Sequence, residues 1–163
     1  LLIEAFAAQP EIELHICGPD TEPAFFEYYS ETIKTSPNIT YEGFINVASK
    51  KFNNLCSKCS FTILNSASEG CATSIATSMR AGLIPIVNYE AGHNVENFGL
   101  LMTDKINRIA NICNTCLKAS NMPPNIYREN VYETLTKSLN YTQASFTYTF
   151  SKAILNVIQK ENL

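Results

Sequence analysis

The chain has 163 residues, a hydrophobic fraction of 45% and a formal net charge of −3, which suits one folded domain with a substantial core. This charge balance excludes a broad basic surface for nucleic acid or anionic membranes, and no apolar run approaches the roughly 18 residues of a membrane span. The first eight residues lack the basic segment and cleavage site of a signal peptide. Because the chain opens in mid-pattern without an initiator Met, we expect it to be part of a longer protein.

Hydrophobic periodicity predicts alternating helices and strands. Helices are predicted over residues 1–9, 23–35, 46–59, 71–81, 101–120 and 128–159, the last interrupted near residues 140–146, and strands over residues 11–17, 38–44, 60–65 and 83–88. Short connections between them indicate a mainly parallel sheet that helices cover on both faces. The prediction is one α/β domain over residues 1–163, a Rossmann-like doubly wound fold, with residues 146–163 as a C-terminal packing helix.

In such sheets, ligands bind beyond the carboxyl ends of the strands. The predicted strands end at residues 18–20, 43–45, 65–70 and 89–92. The candidate binding residues are therefore expected to gather at this edge.

The segment Ser-Ala-Ser-Glu-Gly-Cys-Ala-Thr-Ser, residues 66–74, carries the most information. It follows a strand and opens a helix, where free backbone N–H groups and the helix dipole attract anions. Gly70 permits a close approach to the backbone, and the Glu69 carboxylate accepts hydrogen bonds from hydroxyls such as those of a sugar. An ordinary helix cap explains the same residues without a ligand, since Ser or Glu at a helix start stabilises it by about 1 kcal/mol.

A family pattern extends from this segment along nearly the whole chain. Residues 63–70, the stretch from Met79 to Gly82 and residues 85–87 resemble the C-terminal donor-binding domain of the retaining, two-domain (GT-B) glycosyltransferases of family four, the group 1 family. In that family a strand ends in Pro-Ser, and Glu-Gly-Phe-Gly, a second Glu, Ala-Met and a Gly follow. Further segments that fit are residues 1–7, 14–18, 38–44, Gly92, Glu96, residues 99–101 and the final helix from Phe146.

The resemblance implies transfer of a sugar from a nucleotide-diphosphate donor to a glycan or lipid-linked acceptor with retention of configuration, as in polysaccharide biosynthesis. It implies no metal or other cofactor. The family's first strand, its phosphate-binding Arg and Lys, and its N-terminal acceptor domain are expected upstream of Leu1, so the chain alone is expected to be inactive. The resemblance also implies a cytoplasmic location. The protein is expected to reach the inner face of the membrane only through the missing domain, and this domain is not expected to insert into the membrane.

The resemblance also implies roles for individual residues. Glu69 is the catalytic candidate, in contact with hydroxyls of the donor sugar. The donor-binding candidates are Gly18 at the phosphate cleft, Phe44 and Ile45 beside the nucleobase, Ser66 and Gly70 in the loop, the amides of Cys71, Ala72 and Thr73 on the diphosphate, and Thr77 at the ribose.

Three positions depart from the family pattern. Thr77 stands where the family has its second Glu, Cys71-Ala72 replaces Phe-Gly, and Asn65 replaces Pro. A threonine lacks the paired acceptor oxygens of a carboxylate. The departure at Thr77 favours an alternative, a degenerate non-catalytic homologue that keeps the fold for interaction. A response-regulator receiver domain is a third reading, but it requires an acidic pocket near an N-terminal strand that this chain does not contain.

The six cysteines are predicted to be reduced thiols, because nothing else in the sequence fits a small secreted disulfide scaffold. Two C-x₂-C pairs, Cys56/Cys59 and Cys113/Cys116, suggest zinc, but they are too far apart for a zinc ribbon. Both pairs fall on the apolar sides of predicted helices, which favours core packing without metal.

Cys71 differs from the other cysteines because the start of a helix tends to lower a thiol pKa. A nucleophilic cysteine needs a base, and the chain has two histidines, His15 and His93. His93 follows Gly92 in a loop at the ligand-facing edge. A Cys–His hydrolase is therefore a further alternative.

Overall fold

Helices and strands alternate in the computed structural model, which describes residues 1–103 and 108–161. The elements are α1 (Leu2–Ala7), β1 (Leu14–Cys17), α2 (Pro23–Thr35), β2 (Ile39–Gly43), α3 (Lys50–Cys56), β3 (Phe61–Leu64), α4 (Thr73–Arg80), β4 (Ile84–Val87), β5 (Leu100–Leu101), α5 (Arg108–Ser120), α6 (Pro124–Ser138) and α7 (Gln143–Glu161). Two single 3-10 turns, Tyr89–Ala91 and Leu139–Tyr141, follow β4 and α6.

All strand pairs in the described residues are parallel, and they form two separate ladders. β1 pairs with β2, with a register shift between Ile16 and Cys17. β4 lies between β3 and β5. Parallel neighbours require crossover connections. The α2 helix connects β1 to β2 and α4 connects β3 to β4, whereas a loop with the 3-10 turn Tyr89–Ala91 connects β4 to β5.

Helices cover both faces of these ladders, because alternate β4 side chains enter different cores. Ile86 packs in a core that β1, β2, α1 and α5 share. Its neighbour Val87 packs on the opposite face with Ile75 and Met79 of α4, and α6 lies against α4. The predicted doubly wound α/β fold is confirmed, although the strands form two ladders where one sheet was predicted.

Several element boundaries differ from the prediction for local reasons. α3 is shorter because the Ser49 side chain accepts a hydrogen bond from the Phe52 amide at 3.2 Å and sets the helix start. Leu101 lies in β5, where the prediction began a helix. Residues 104–107 of that predicted helix lie outside the described residues. α6 begins at Pro124, four residues earlier than predicted, because proline suits the first turn of a helix.

The last helix, α7, makes few contacts with the rest of the domain. α7 packs at its beginning against the 3-10 turn Leu139–Tyr141, and its apolar side chains are exposed at Phe146, Phe150, Ile154, Leu155, Val157 and Ile158. The role of residues 146–163 as a C-terminal packing helix stays a prediction.

All six cysteines are free. Cys116 lies in the core beside α1, with Cys113 partly buried against it, whereas Cys56 and Cys59 are half-buried. Burial raises the pKa of the Cys116 thiol to about 11. Within residues 1–103 and 108–161, no group of three or more potential metal-binding side chains occurs, and no helix has the length and apolarity needed to cross a membrane.

Candidate functional site

Two loops at the carboxyl ends of β3 and β4 are held together by one side chain. They are the β3–α4 loop, residues 65–72, and the β4 loop, residues 88–93. The Asn88 side chain accepts a hydrogen bond from the Ser66 amide at 3.0 Å and donates to the Ser66 carbonyl at 2.7 Å. These two bonds tie Ser66, two residues beyond the end of β3, to Asn88, the residue after β4.

Backbone contacts complete the attachment of the loops. The amide of Glu69 donates to the carbonyl of Glu90 at 2.8 Å, and the amide of Ala72 donates to that of Ala91 at 3.2 Å. Gly92 has a positive φ of 73°, and a Cβ at this position would lie 2.4 Å from the Gly70 oxygen. Only glycine allows this approach, since it has no side chain and tolerates left-handed backbone.

The start of α4 lacks a side-chain cap. Its N-cap residue is Ala72, and no side-chain cap hydrogen bond forms there, so the ordinary capping explanation of this segment does not apply. In the described part of the chain, the amides of Cys71, Thr73 and Ser74 have no hydrogen-bond partner. Residues 71, 73 and 74 are exposed. These N–H groups at the positive end of a helix are suited to an anion.

The structure modifies the role predicted for Ala72. Its amide is already bonded to Ala91, and the residue is 4% exposed. Of the three amides predicted to meet a diphosphate, only those of Cys71 and Thr73 are unpaired.

Glu69 and Thr77 lie beside this helix start in different environments. Glu69 is exposed, and within the described residues its carboxylate has no hydrogen-bond or ion-pair partner. The Thr77 hydroxyl donates to the Thr73 carbonyl at 2.8 Å inside α4. Its hydrogen is therefore occupied, and its oxygen keeps only acceptor capacity for a ligand.

Cys71 and His93 come together, as the hydrolase alternative requires, but without the chemistry of a nucleophile and its base. The Cys71 sulfur lies 3.6 Å from His93 Nε2, and the same nitrogen lies 2.8 Å from the Ala72 carbonyl oxygen. Because a carbonyl only accepts, Nε2 carries the hydrogen and has no lone pair for the thiol. Nδ1 lies farther from the sulfur, at 4.0 Å, and accepts a hydrogen bond from the Tyr141 hydroxyl at 3.2 Å. Partial burial raises the Cys71 pKa, so the predicted lowering by the helix start is wrong.

The remaining predicted donor residues form a second group at the ends of β1 and β2. The Gly18 amide donates to the Gly43 carbonyl at 3.0 Å, and the Tyr41 hydroxyl donates to the Gly18 carbonyl at 3.0 Å. Phe44 is 74% exposed, and Ile45 is half-buried. Across residues 1–103 and 108–161, no hydrogen bond joins this group to the β3–α4 loop.

Neither the role of Asn88 nor the contact of Gly92 with Gly70 was predicted from the sequence. The available signal was a polar residue placed directly after an all-apolar strand, followed four residues later by glycine. Such a pattern marks a structured loop, but it does not say which segment the loop contacts.

Parallel strands covered on both faces, with an uncapped helix start at their carboxyl edge, define a Rossmann-like doubly wound α/β domain. The sequence model of the family described as Glycosyl transferases group 1 matches residues 1–105, and the chain belongs to that family. The resemblance found in the sequence is thereby confirmed. No curated protein matches the chain in sequence.

Solved glycosyltransferase structures share the fold. Alr3699/HepE of Anabaena, solved in complex with UDP-glucose, aligns at 17% identity and a TM-score of 0.71, over 95% of this chain and 44% of its own. WaaG, a glycosyltransferase involved in lipopolysaccharide biosynthesis, aligns at 15% identity and 0.64, over 87% of this chain and 39% of its own. The GtfA/B complex aligns at 17% identity and a TM-score of 0.68, over 95% of this chain and 31% of its own. The chain thus spans less than half the length of each.

Proposed function

We propose that the chain is the donor-binding domain of a retaining glycosyltransferase, which transfers a sugar from a nucleotide-diphosphate donor to a glycan or lipid-linked acceptor. The observation that carries the proposal is the uncapped start of α4 beside Glu69. Membership of the group 1 family supports the reaction class, and the fold shared with HepE, which was solved with UDP-glucose, supports a UDP-sugar as the first donor to test.

In this proposal the amides of Cys71 and Thr73 donate to diphosphate oxygens, where the dipole of α4 adds a favourable field. The carboxylate of Glu69 accepts hydrogen bonds from the donor sugar, and these strengthen as the leaving group departs. Its freedom from other partners keeps it available for that role. Ser66 and Gly70 set the backbone conformation of the β3–α4 loop that carries Glu69.

The nucleoside lies toward the second group of residues in this proposal. Phe44 and Ile45 flank the base, Gly18 lines the phosphate cleft, and Thr77 accepts one hydrogen bond from the ribose. The largely exposed Phe44 ring supports this arrangement, because an exposed aromatic ring is suited to stacking on a base.

In this proposal, the longer protein supplies the acceptor site and the basic residues that neutralise the diphosphate. It also makes any contact with the inner face of the membrane. The chain alone then has no transferase activity and needs no metal. Cytoplasmic polysaccharide biosynthesis is the setting that the family resemblance favours.

A degenerate, non-catalytic homologue is the second candidate function. The observation that favours it is Thr77, whose hydroxyl donates to Thr73 within α4 and so offers the ribose less than a carboxylate does. The two candidates differ in whether the longer protein turns over a nucleotide sugar.

The test is a titration of the chain with UDP and UDP-glucose, followed by amide chemical shifts in two-dimensional NMR. We expect shifts centred on Cys71, Thr73 and Ser74, and a Kd no tighter than about millimolar, because two missing basic contacts cost two to four decades of affinity. Micromolar binding, or shifts confined to other parts of the chain, would contradict the proposed phosphate site.

A proline substitution sharpens this test. Thr73→Pro removes one unpaired N–H at the first helical position, where proline is tolerated, and the extended Ala72 (φ −67°, ψ 106°) suits a residue before proline. The Kd for UDP should weaken by about tenfold or more with an unchanged melting temperature. Thr73→Ala, which keeps the N–H, is the matched control and should bind like the unmodified chain.

A further inference from the structure

We propose that His93 is a positioning residue of the donor site, which aims the Thr73 amide by holding the Ala72 carbonyl, and that Tyr141 orients His93 for this task. The inference rests on the proposed function of the β3–α4 loop. It assigns a role to two side chains that touch no donor themselves.

His93 occupies one defined hydrogen-bonding state. The side chain is 6% exposed, and its Nε2 lies 2.8 Å from the Ala72 carbonyl oxygen. Nε2 therefore carries the hydrogen, which leaves a lone pair on Nδ1. Nδ1 lies 3.2 Å from the Tyr141 hydroxyl, which donates to it. The hydrogen bonds run in one direction, from Tyr141 to His93 to Ala72.

The geometry of the peptide bond transmits this hold to the proposed ligand site. The Ala72 carbonyl and the Thr73 N–H belong to one rigid, planar peptide unit and point in opposite directions. The amides of Ile75 and Ala76 donate to the same carbonyl oxygen from within α4, at 3.1 and 3.3 Å, and His93 holds it from outside the helix. These bonds together fix the direction of the Thr73 N–H. The Ala72 amide is fixed separately by Ala91, so both peptide units around the N-cap of α4 are held.

The same bonds reach a distant part of the chain. Tyr141 ends the 3-10 turn between α6 and α7, and its ring packs on the His93 ring with centroids 5.1 Å apart. That turn is the element against which the beginning of α7 packs. The two hydrogen bonds from Tyr141 to His93 and from His93 to Ala72 thus connect the orientation of the Thr73 amide to the turn that precedes α7.

The primary test is Tyr141→Phe, which removes only the hydroxyl from a side chain that is 41% exposed and should not prevent folding. Its control is Tyr148→Phe on α7, a tyrosine that is 67% exposed. The ¹⁵N spectrum of the His93 imidazole in the unliganded chain should show the Nε2–H tautomer, and Tyr141→Phe should shift the Nδ1 signal. The amide chemical shifts of Thr73 and Ser74 should also change in this variant and not in the control.

The ligand readout is the Kd for UDP measured on the same samples. Tyr141→Phe should weaken it about three- to tenfold and Tyr148→Phe should leave it unchanged. His93→Leu should weaken it further, with partial recovery in His93→Gln, whose side-chain amide can still donate to a carbonyl. Should His93→Leu fail to fold, Tyr141→Phe and the imidazole spectrum still decide the question.

Two results overturn the inference. One is an Nδ1–H tautomer, or an imidazole that averages between tautomers as in free solution. The other is UDP binding by Tyr141→Phe that equals that of the unmodified chain. If the unmodified chain binds no UDP at all, the proposed function fails instead, and the imidazole spectrum and the amide shifts still decide whether the Tyr141–His93–Ala72 connection exists.

Discussion

At the residue scale, the contact of Gly92 with Gly70 gives the sharpest stability prediction. Gly92→Ala places a methyl group 2.4 Å from the Gly70 oxygen at a φ of 73°, so crowding and backbone strain act together. We expect a loss of at least about 2 kcal/mol in the free energy of unfolding. Urea denaturation measures it.

Gly70→Ala is the matched control for that variant. A Cβ at Gly70 meets no atom within 4 Å, so its free energy of unfolding should stay within about 0.5 kcal/mol of the unmodified chain. Equal losses from the two substitutions would show that the loops do not meet as the structure has them.

Glu69 carries the activity prediction at this scale. In the longer glycosyltransferase proposed above, Glu69→Gln keeps the shape but weakens the acceptor of sugar hydroxyl bonds, so kcat/KM should fall about a hundredfold or more. The melting temperature should hardly change, because the exposed carboxylate has no partner among the described residues. Steady-state kinetics and thermal melting are measured beside Glu27→Gln, an exposed glutamate on α2. Full turnover with a collapsed melting temperature would show Glu69 to be structural.

The sequence was informative for residues whose role is local. Glu69 and Gly70 follow from a strand, a turn and a helix start that are contiguous in the chain, and the structure places them on an exposed loop at the expected edge. Asn88 and His93 act on residues about 22 positions away. Their roles depend on which loops the fold brings together, and hydrophobic periodicity contains no such information.

At the element scale, α7 yields a prediction because so little of it touches the domain. Removing residues 143–163 deletes an exposed apolar stripe and leaves both cores intact. The melting temperature should change by no more than about 3 °C, the effect of less than 1 kcal/mol in a chain of this size, and solubility should rise. A drop of about 10 °C would mean that α7 packs on the body in solution.

Elements were predictable in proportion to their length and periodicity. The α2 helix, Pro23–Thr35, has the predicted bounds, since proline at its start and a regular apolar pattern define it. The two-residue β5 was missed, because Leu100 and Leu101 are too short a run to show a period of two. Only pairing with β4 makes them a strand.

At the scale of the whole molecule, the two ladders share one core without sharing hydrogen bonds. Leu14 of β1 and Ile86 of β4 lie in the same cluster, yet no described strand joins β1 to β3. The family resemblance places a strand upstream of Leu1, and we expect it to pair between them. Adding the natural upstream segment to this chain should then raise its melting temperature and protect the β1 and β3 amides from hydrogen exchange. An unrelated N-terminal extension of equal length should do neither.

The division into two ladders also bears on how the isolated chain behaves at high concentration. Within the described residues, β1 and β3 each have a paired neighbour on one side only, and such strand edges are templates for another chain. Ile16 of β1 and Ile63 of β3 are only partly buried, so apolar side chains accompany the open backbone groups. Pairing of such an edge with a strand of another copy would join isolated domains into larger assemblies. The strand edges beside the shared core are therefore where we expect misassembly of this domain to begin.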